Sequence, residues 1–293
     1  MPIAAKPGRG YALGGPLELL DGEAIAAELP ATVRARLASI EIAWSIDSTN
    51  SELLRRPVAA GGAASALLAE RQTGGRGRRG RSWVSPLAAH LYLSMSRSFD
   101  GGLGRLGGLS LVAGIATADA LHALGFTAVR LKWPNDLVVV DAGGMRKLGG
   151  LLVEGGGEFA GPVRAVIGLG LNTRMPAAMA AAIDQPWCDL TQLAGRSATP
   201  SRSRLAAEVL AHWVPALEIF DEAGLGPFLA RYAALDALAS QPVTIHSGDR
   251  PRSATALGLA DDGALRVRFD DGVEQSLHAG EVSVRSAAAA LRP

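Results

Sequence analysis

Apolar positions recur along the chain with two periods, and the changes between them divide it into elements. After a Gly- and Pro-rich lead-in over 1–16, residues 17–37 carry apolar side chains at mixed helical spacing. Residues 40–46 alternate as a strand does, and Asp47-Ser48-Thr49-Asn50 stops the run. Thr49-Asn50-Ser51-Glu52 has the spacing of a capping box, which predicts a short helix. Residues 64–70 read as a buried strand running into a glycine and arginine loop at 72–81. Residues 91–96 read as a period-two strand on its far side.

The helical period returns over 106–124, long enough to cover a sheet. Val129-Arg130-Leu131 then leads into Lys132-Trp133-Pro134-Asn135-Asp136, where Pro134 forbids a helix, and into 137–140, apolar on both faces. Asp141-Ala142-Gly143-Gly144 is turn chemistry joining that run to 147–154, and 163–169 supplies another strand, so these three strands are expected in one sheet. Helical spacing marks 201–220 and 225–235. From 242 to 285 short β runs alternate with Gly and Asp turns, the pattern of a small barrel, before a frayed end at 287–290.

Composition narrows the classes. The 293 residues are 48% hydrophobic and 19% charged, enough to bury a core of one large and one smaller domain. A net charge of +1 gives no overall field toward nucleic acid or anionic membrane, so such attraction must be local. The single cysteine, Cys188, cannot close an intramolecular disulfide and is expected as a small buried residue. No apolar stretch is long and charge-free enough for a signal peptide or a bilayer span, and a cytoplasmic protein is expected.

The one local basic cluster is Gly75-Arg76-Gly77-Arg78-Arg79-Gly80-Arg81. Glycines let backbone wrap a ligand, and arginines hold anions such as phosphate. The segment also matches a dinucleotide fingerprint at Gly75, Gly77 and Gly80, and nearly a P-loop, with Arg81 where lysine belongs. Both motifs need a helix directly after the loop. Trp83-Val84-Ser85-Pro86 and an alternating strand follow instead, which excludes both.

With Asp47-Ser48-Thr49-Asn50, Gln72 to Trp83, Lys132-Trp133-Pro134-Asn135-Asp136-Leu137, Lys147 to Glu154 and Ile167-Gly168-Leu169-Gly170-Leu171-Asn172 in this order, the chain resembles the biotin–protein ligases over about 40–287. The resemblance implies an α/β (α+β) fold: a mixed-sheet biotin/lipoate ligase-like catalytic domain at 39–238 and an SH3-like β-barrel at 239–287. Residues 1–38 are then a lead-in and 288–293 a tail. The implied reaction is ATP-dependent formation of biotinyl-5'-AMP with release of pyrophosphate, then transfer of biotin to a lysine of a biotin carboxyl carrier domain of the acetyl-CoA carboxylase type. Mg²⁺ accompanies the ATP, and dimers are common in the family, although the sequence does not itself show whether two chains pair.

The same resemblance assigns roles. Ser48, Thr49, Asn50, Gln72, Gly75, Arg76, Gly77, Arg78, Lys147, Gly150, Gly168 and Gly170 are expected around biotin. Uncharged hydroxyls and amides suit a ureido ring, although Ser48 and Thr49 alone also read as helix caps. Gly150, Gly168 and Gly170 suit a close approach by a flat ligand, or else a bulge or turn. Arg78, Arg81, Trp83, Lys132, Asn135, Asp136, Lys147, Asn172 and Trp187 are expected around the adenylate, with Trp187 either stacking on adenine or anchoring its own segment. Lys147, Arg78 and Asp136 are the catalytic candidates. The cations lessen repulsion between carboxylate and phosphate, and Asp136 meets Mg²⁺ or orients the acceptor lysine.

Lys6 to Leu13 resembles the closing wing of a winged-helix domain. Either that domain was lost or the start lies upstream of Met1, and for the chain as given no operator binding is expected. Two other readings compete. A lipoate–protein ligase shares the fold and the adenylate chemistry, but Ser48, Thr49 and Gln72 argue for the ureido ring. An RNA-binding protein using the Arg/Gly loop lacks the evenly placed aromatics that base stacking needs.

Overall fold

The computed structural model describes residues 3–6, 8, 10–13, 17–100, 102–157, 162–181, 183–247, 250–279 and 283–286. A hairpin of β1 (Ile3–Lys6) and β2 (Gly10–Leu13) pairs Ile3 with Leu13 where the wing-like segment was read. Two short helices follow, α1 (Gly22–Glu28) and α2 (Ala31–Arg34), where one mixed helical stretch was expected. Asp21 caps α1, and Pro30 divides the two.

The main sheet is then laid down by β3 (Leu37–Ala43), α3 (Thr49–Arg55), β4 (Ala64–Ala69), β5 (Leu91–Phe99), α4 (Leu109–Ala123), β6 (Val129–Lys132), β7 (Asp136–Asp141), β8 (Gly144–Gly157) and β9 (Val163–Leu171). Its seven strands run in the order β3-β4-β5-β9-β8-β7-β6, and β3 with β4 is the parallel pair in an otherwise antiparallel sheet. The expected sharing of one sheet by the strands at 137–140, 147–154 and 163–169 holds. Next come α5 (Ala177–Ala180), α6 (Leu190–Ala194), α7 (Arg202–Ala223) and α8 (Leu229–Leu235).

Alternation along each strand divides the two faces. Leu68, Leu93, Leu151 and Ile167 enter the core under α4 and α7, whereas Leu67 and Val166 pack on the other side with Leu53 of α3. Helix α4 is buried around most of its circumference because it lies between sheet and α7, where Trp213 donates its indole N–H to Thr117 at 2.9 Å. The site therefore belongs to the α3 face, which α4 and α7 leave open.

Strands β10 (Pro242–Ser247), β11 (Arg250–Leu259), β12 (Leu265–Phe269), β13 (Glu274–Leu277) and β14 (Ser283–Ser286) form a second, antiparallel sheet in the order β13-β12-β11-β10-β14. It is the small β unit expected of the tail, of SH3-like type. Trp133, only 2% exposed, fastens it to the main sheet by an N–H donated to the Gly263 carbonyl at 3.0 Å. The frayed end expected at 287–290 lies outside the described residues.

Two local readings are corrected. The capping box was placed on Thr49 to Glu52, but Ser48 is the residue with extended backbone that caps α3, its hydroxyl facing the Ser51 N–H at 3.5 Å. Glu52 cannot close the box because Arg55 and Arg56 hold its carboxylate. The helix read over 106–124 begins at Leu109, after a separate turn of tighter helix over Leu103–Leu106.

Candidate active site

Three strands build the floor. Ser94 of β5, Gly168 of β9 and Leu152 of β8 face one another across the sheet, and the next such row is Tyr92, Gly170 and Gly150. A β-carbon on Gly168 would lie 2.2 Å from the Asn50 amide oxygen, and one on Gly170 would lie 2.6 Å from the Trp83 ring. Both glycines are thus required by close approach, but it is the side chains of Asn50 and Trp83 that approach, where the sequence reading had a flat ligand.

Lys147 reaches this face through a bulge. Leu137 pairs with Gly149 but Val138 pairs with Lys147, so Leu148 is the extra residue. Strict alternation would put Lys147 on the face of Leu151, inside the core. The bulge buries Leu148 instead and turns Lys147 toward Gly150. There its ammonium lies 2.7 Å from the Asp136 carboxylate and 5.5 Å from the Trp83 ring centre. Lys147 also tethers the next segment: its N–H bonds the Pro186 carbonyl, and its own carbonyl accepts from Cys188, so half-buried Trp187 pairs beside it.

The turn before α3 supplies uncharged polar groups. Gln72 accepts from the Thr49 N–H at 2.9 Å and lies 3.1 Å from the Thr49 hydroxyl. Ser94 lies 2.6 Å from both the Thr49 hydroxyl and the Asn50 amide oxygen. Asn50 donates in turn to the Leu152 carbonyl and to Glu154. Asp47 holds the turn from outside. The forked bond from Arg55 brings its carboxyl down to about 2 against the opposing effect of burial, and Ser48 N–H adds to the lowering.

The glycine and arginine loop folds back on itself as a narrow turn: Gly77 N–H bonds the Arg81 carbonyl, and Trp83 N–H bonds the Gly75 carbonyl. Gly75 has no room for a side chain, since a β-carbon would meet the Ser85 hydroxyl at 2.6 Å. Beyond the short tip at Arg78–Gly80 the backbone is extended, which bears out the exclusion of dinucleotide and P-loop motifs. Arg76 and Arg78 diverge. Arg76 reaches Glu154 and Ser51, whereas Arg78 reaches the Asn135 amide oxygen at 3.3 Å and the Ala279 carbonyl of the C-terminal unit. Burial lowers the Arg78 pKa, with Arg79 adding to the lowering and Asp136 opposing it.

The arrangement is a trough. Its uncharged polar end is Thr49, Asn50, Gln72 and Ser94, its flat middle is Trp83 over Gly170, and its charged end is Lys147, Asp136, Arg78 and Asn135. Asn135 is itself fixed, donating to the Leu151 carbonyl at 2.6 Å. Lys132 pairs with Asp136 across β6 and β7, and Arg81 and Asn172 stand further out. Lys132 lines a narrow recess with Ser110, Pro134 and Tyr232, Arg81 is exposed, and buried Asn172 donates to the Cys188 carbonyl, steadying the Trp187 segment from behind. Ser94, Ser85 and Glu154 were missed from sequence. Ser94 and Glu154 carry a usable signal, being polar at positions that share a strand face with Tyr92 and Gly150.

Comparison with known proteins places the chain in a family. The model of the Biotin/lipoate A/B protein ligase family matches residues 43–172, and that of the Biotin protein ligase C terminal domain matches 241–285. The chain is 41% identical over 281 residues to the bifunctional ligase/repressor BirA of Salmonella typhimurium, covering 96% of this chain and 83% of that one. It is 33% identical over 242 residues to the biotin–[acetyl-CoA-carboxylase] ligase of Paracoccus denitrificans, covering 80% and 96% respectively. Among solved structures, the biotin protein ligase of Aquifex aeolicus in complex with biotin and ATP superposes with a TM-score of 0.69 at 25% identity, covering 86% of this chain and all of that one.

Proposed function

Because the chain belongs to the Biotin/lipoate A/B protein ligase family and carries the C-terminal domain of its biotin ligases, we propose that the trough is where biotin meets ATP. The activity is that of a biotin–protein ligase: it forms biotinyl-5'-AMP with release of pyrophosphate, then transfers biotin to a lysine of a biotin carboxyl carrier domain. The observation that carries the site assignment is the change in polarity along the trough. Biotin has an uncharged ureido ring, an apolar chain and a carboxylate, in the same order as Thr49, Asn50 and Gln72, then Trp83 over glycine, then Lys147 and Arg78.

In the first step a carboxylate oxygen of biotin attacks the α-phosphorus, an O–P bond forms, and the bond to pyrophosphate breaks. The barrier is largely repulsion between anions. Lys147 and Arg78 stand where charge develops and need little reorganisation, because Asp136, Asn135 and Ala279 already hold them. Mg²⁺ bound with the phosphates would supply further positive charge. Asp136 fits it as one protein carboxylate beside the phosphate oxygens, and no cluster of three or more metal-ligating side chains exists among the described residues. In the second step the carrier lysine attacks the acyl carbonyl and AMP leaves. Trp83, Trp187 and the arginine loop shield the mixed anhydride from water.

For the partners and setting, we take an acetyl-CoA carboxylase-type carrier as acceptor and a cytoplasmic homodimer as the working form. Buried Cys188 supports the first part of that setting, and no helix among the described residues is long and apolar enough to cross a membrane. Residues 39–238 are proposed as the catalytic domain and 239–287 as the C-terminal one, supported by the change from seven-stranded to five-stranded sheet between β9 and β10.

The test is to incubate pure protein with labelled biotin and Mg-ATP, isolate enzyme-retained biotinyl-AMP, and discharge it onto a carrier domain. Charging of a lipoyl domain with lipoate in place of this reaction would overturn the assignment.

A further inference from the structure

Glu154 ends the site face of β8, on the opposite side of the trough from Lys147 and roughly 20 Å away along the strand. Its carboxylate meets two segments of chain at once. Both oxygens take the Arg76 guanidinium, at 2.9 and 3.0 Å, and one of them also accepts the Asn50 amide at 2.9 Å. Arg76 completes its fork on the Ser51 hydroxyl at 2.6 Å. Both bonds to Glu154 come from one guanidinium nitrogen, Nη2, and Nη1 takes the hydroxyl, so carboxylate and hydroxyl together fix the plane of the charge-assisted contact. The pairing spends the charge of Arg76 at the uncharged end of the trough, whereas Arg78, two residues on, contributes at the charged end.

We propose that Glu154 is a positioning residue for the ligase reaction: by pinning Arg76 it fixes one root of the glycine and arginine loop, so that the loop tip closes over the acyl-adenylate with Arg78 in place. This rests on the biotin ligase reading above. Glu154 touches no reacting atom. Its contribution is to the lifetime of the bound intermediate, since a loop with an unpinned root opens more often and releases or exposes the anhydride.

Glu154→Gln separates this from a role in shaping the turn, because glutamine keeps an acceptor for Asn50 while losing the charge that Arg76 requires. The pair is about a third exposed, Arg76 37% and Glu154 28%, so the variant is expected to melt close to wild type. Three measurements then bear on the proposal. Labelled biotinyl-AMP formed on the enzyme and chased with unlabelled compound is expected to leave Glu154→Gln about tenfold faster. Trypsin is expected to nick the loop within 76–81 faster in unliganded Glu154→Gln than in wild type. Arg76→Gln is expected to match Glu154→Gln in release rate, and the double variant to be no worse than either, because all three remove one and the same link.

Release at the wild-type rate in Glu154→Gln, or additive losses in the double variant, would overturn the proposal. If wild type formed no adenylate, the ligase reading itself would fall and this proposal with it. The trypsin comparison needs no ligand, so it separately reports whether Glu154 holds the loop.

Discussion

The Lys147 ammonium lies 2.7 Å from the Asp136 carboxylate, and Arg78, on a different stretch of sequence, bonds the side chain of Asn135 immediately before Asp136. Two cations therefore converge on one short turn. Neither cation is a member of the apolar core, and both are partly exposed. Removing either cation should thus cost catalysis far more than folding.

Lys147→Ala and Arg78→Ala are each expected to slow biotin-dependent pyrophosphate exchange by at least about a hundredfold, the scale of losing one preorganised charge at a developing anion. Their thermal midpoints should stay near wild type. Exchange at the wild-type rate in either variant would remove that residue from the adenylation step.

Gly170→Ala tests the floor. The added methyl group would sit 2.6 Å from the Trp83 ring, so the indole must lift. A well-packed site resists such an insertion by about 1–3 kcal/mol, and biotin affinity by titration calorimetry should fall about tenfold or more. Unchanged affinity would mean that biotin does not lie over the second floor row.

Most of the strands were legible because apolar runs bounded by turn residues are a local property: β4, β5, β7, β8 and β9 overlap the runs at 64–70, 91–96, 137–140, 147–154 and 163–169, whereas β3 begins and ends three residues before the alternation read at 40–46. The bulge at Leu148 was not, since one inserted residue leaves the run apolar while reversing which face each later side chain meets. Gly149-Gly150 is its only local trace. Nor could spacing tell Arg76 from Arg78. Both sit among glycines, and what separates them is Glu154 and Asn135, brought to opposite ends of the loop by the sheet. The resemblance assigned residues to a biotin side and an adenylate side, but it put Arg76 and Arg78 together around biotin.

Trp133→Phe is the test of how the C-terminal unit is held. The indole N–H donates to the Gly263 carbonyl in a buried setting, so phenylalanine keeps the ring and loses one hydrogen bond while leaving that carbonyl unsatisfied. The expected loss is about 1–3 kcal/mol in urea unfolding. Because Ala279 of the same unit accepts from Arg78, pyrophosphate exchange should weaken as well. A stability loss with exchange untouched would separate docking from catalysis.

His90 gives the protein a pH dependence that can be isolated. The ring is fully buried, its Nδ1 accepts from the Thr173 N–H at 3.2 Å, and its Nε2 finds no hydrogen-bond partner among the described residues. Burial lowers its pKa from 6.5 to about 4, opposed by Asp189 and by the Ala89 backbone and assisted by Arg202. Above pH 6.5 the ring is neutral folded or unfolded, and it adds no slope. Between pH 6.5 and 4 the unfolded chain takes up a proton that the folded chain refuses, so stability falls as the pH falls, and the loss is complete once the folded ring also protonates. The slope for one such proton is about 1.4 kcal/mol per pH unit. His90→Asn, which keeps an acceptor for Thr173, is expected to lower stability at pH 7 by leaving space in the core and to flatten the difference between pH 6.5 and pH 4. Unfolding curves for both proteins across that window measure the slope directly, and parallel curves would mean that His90 titrates in the folded protein as it does in the unfolded chain.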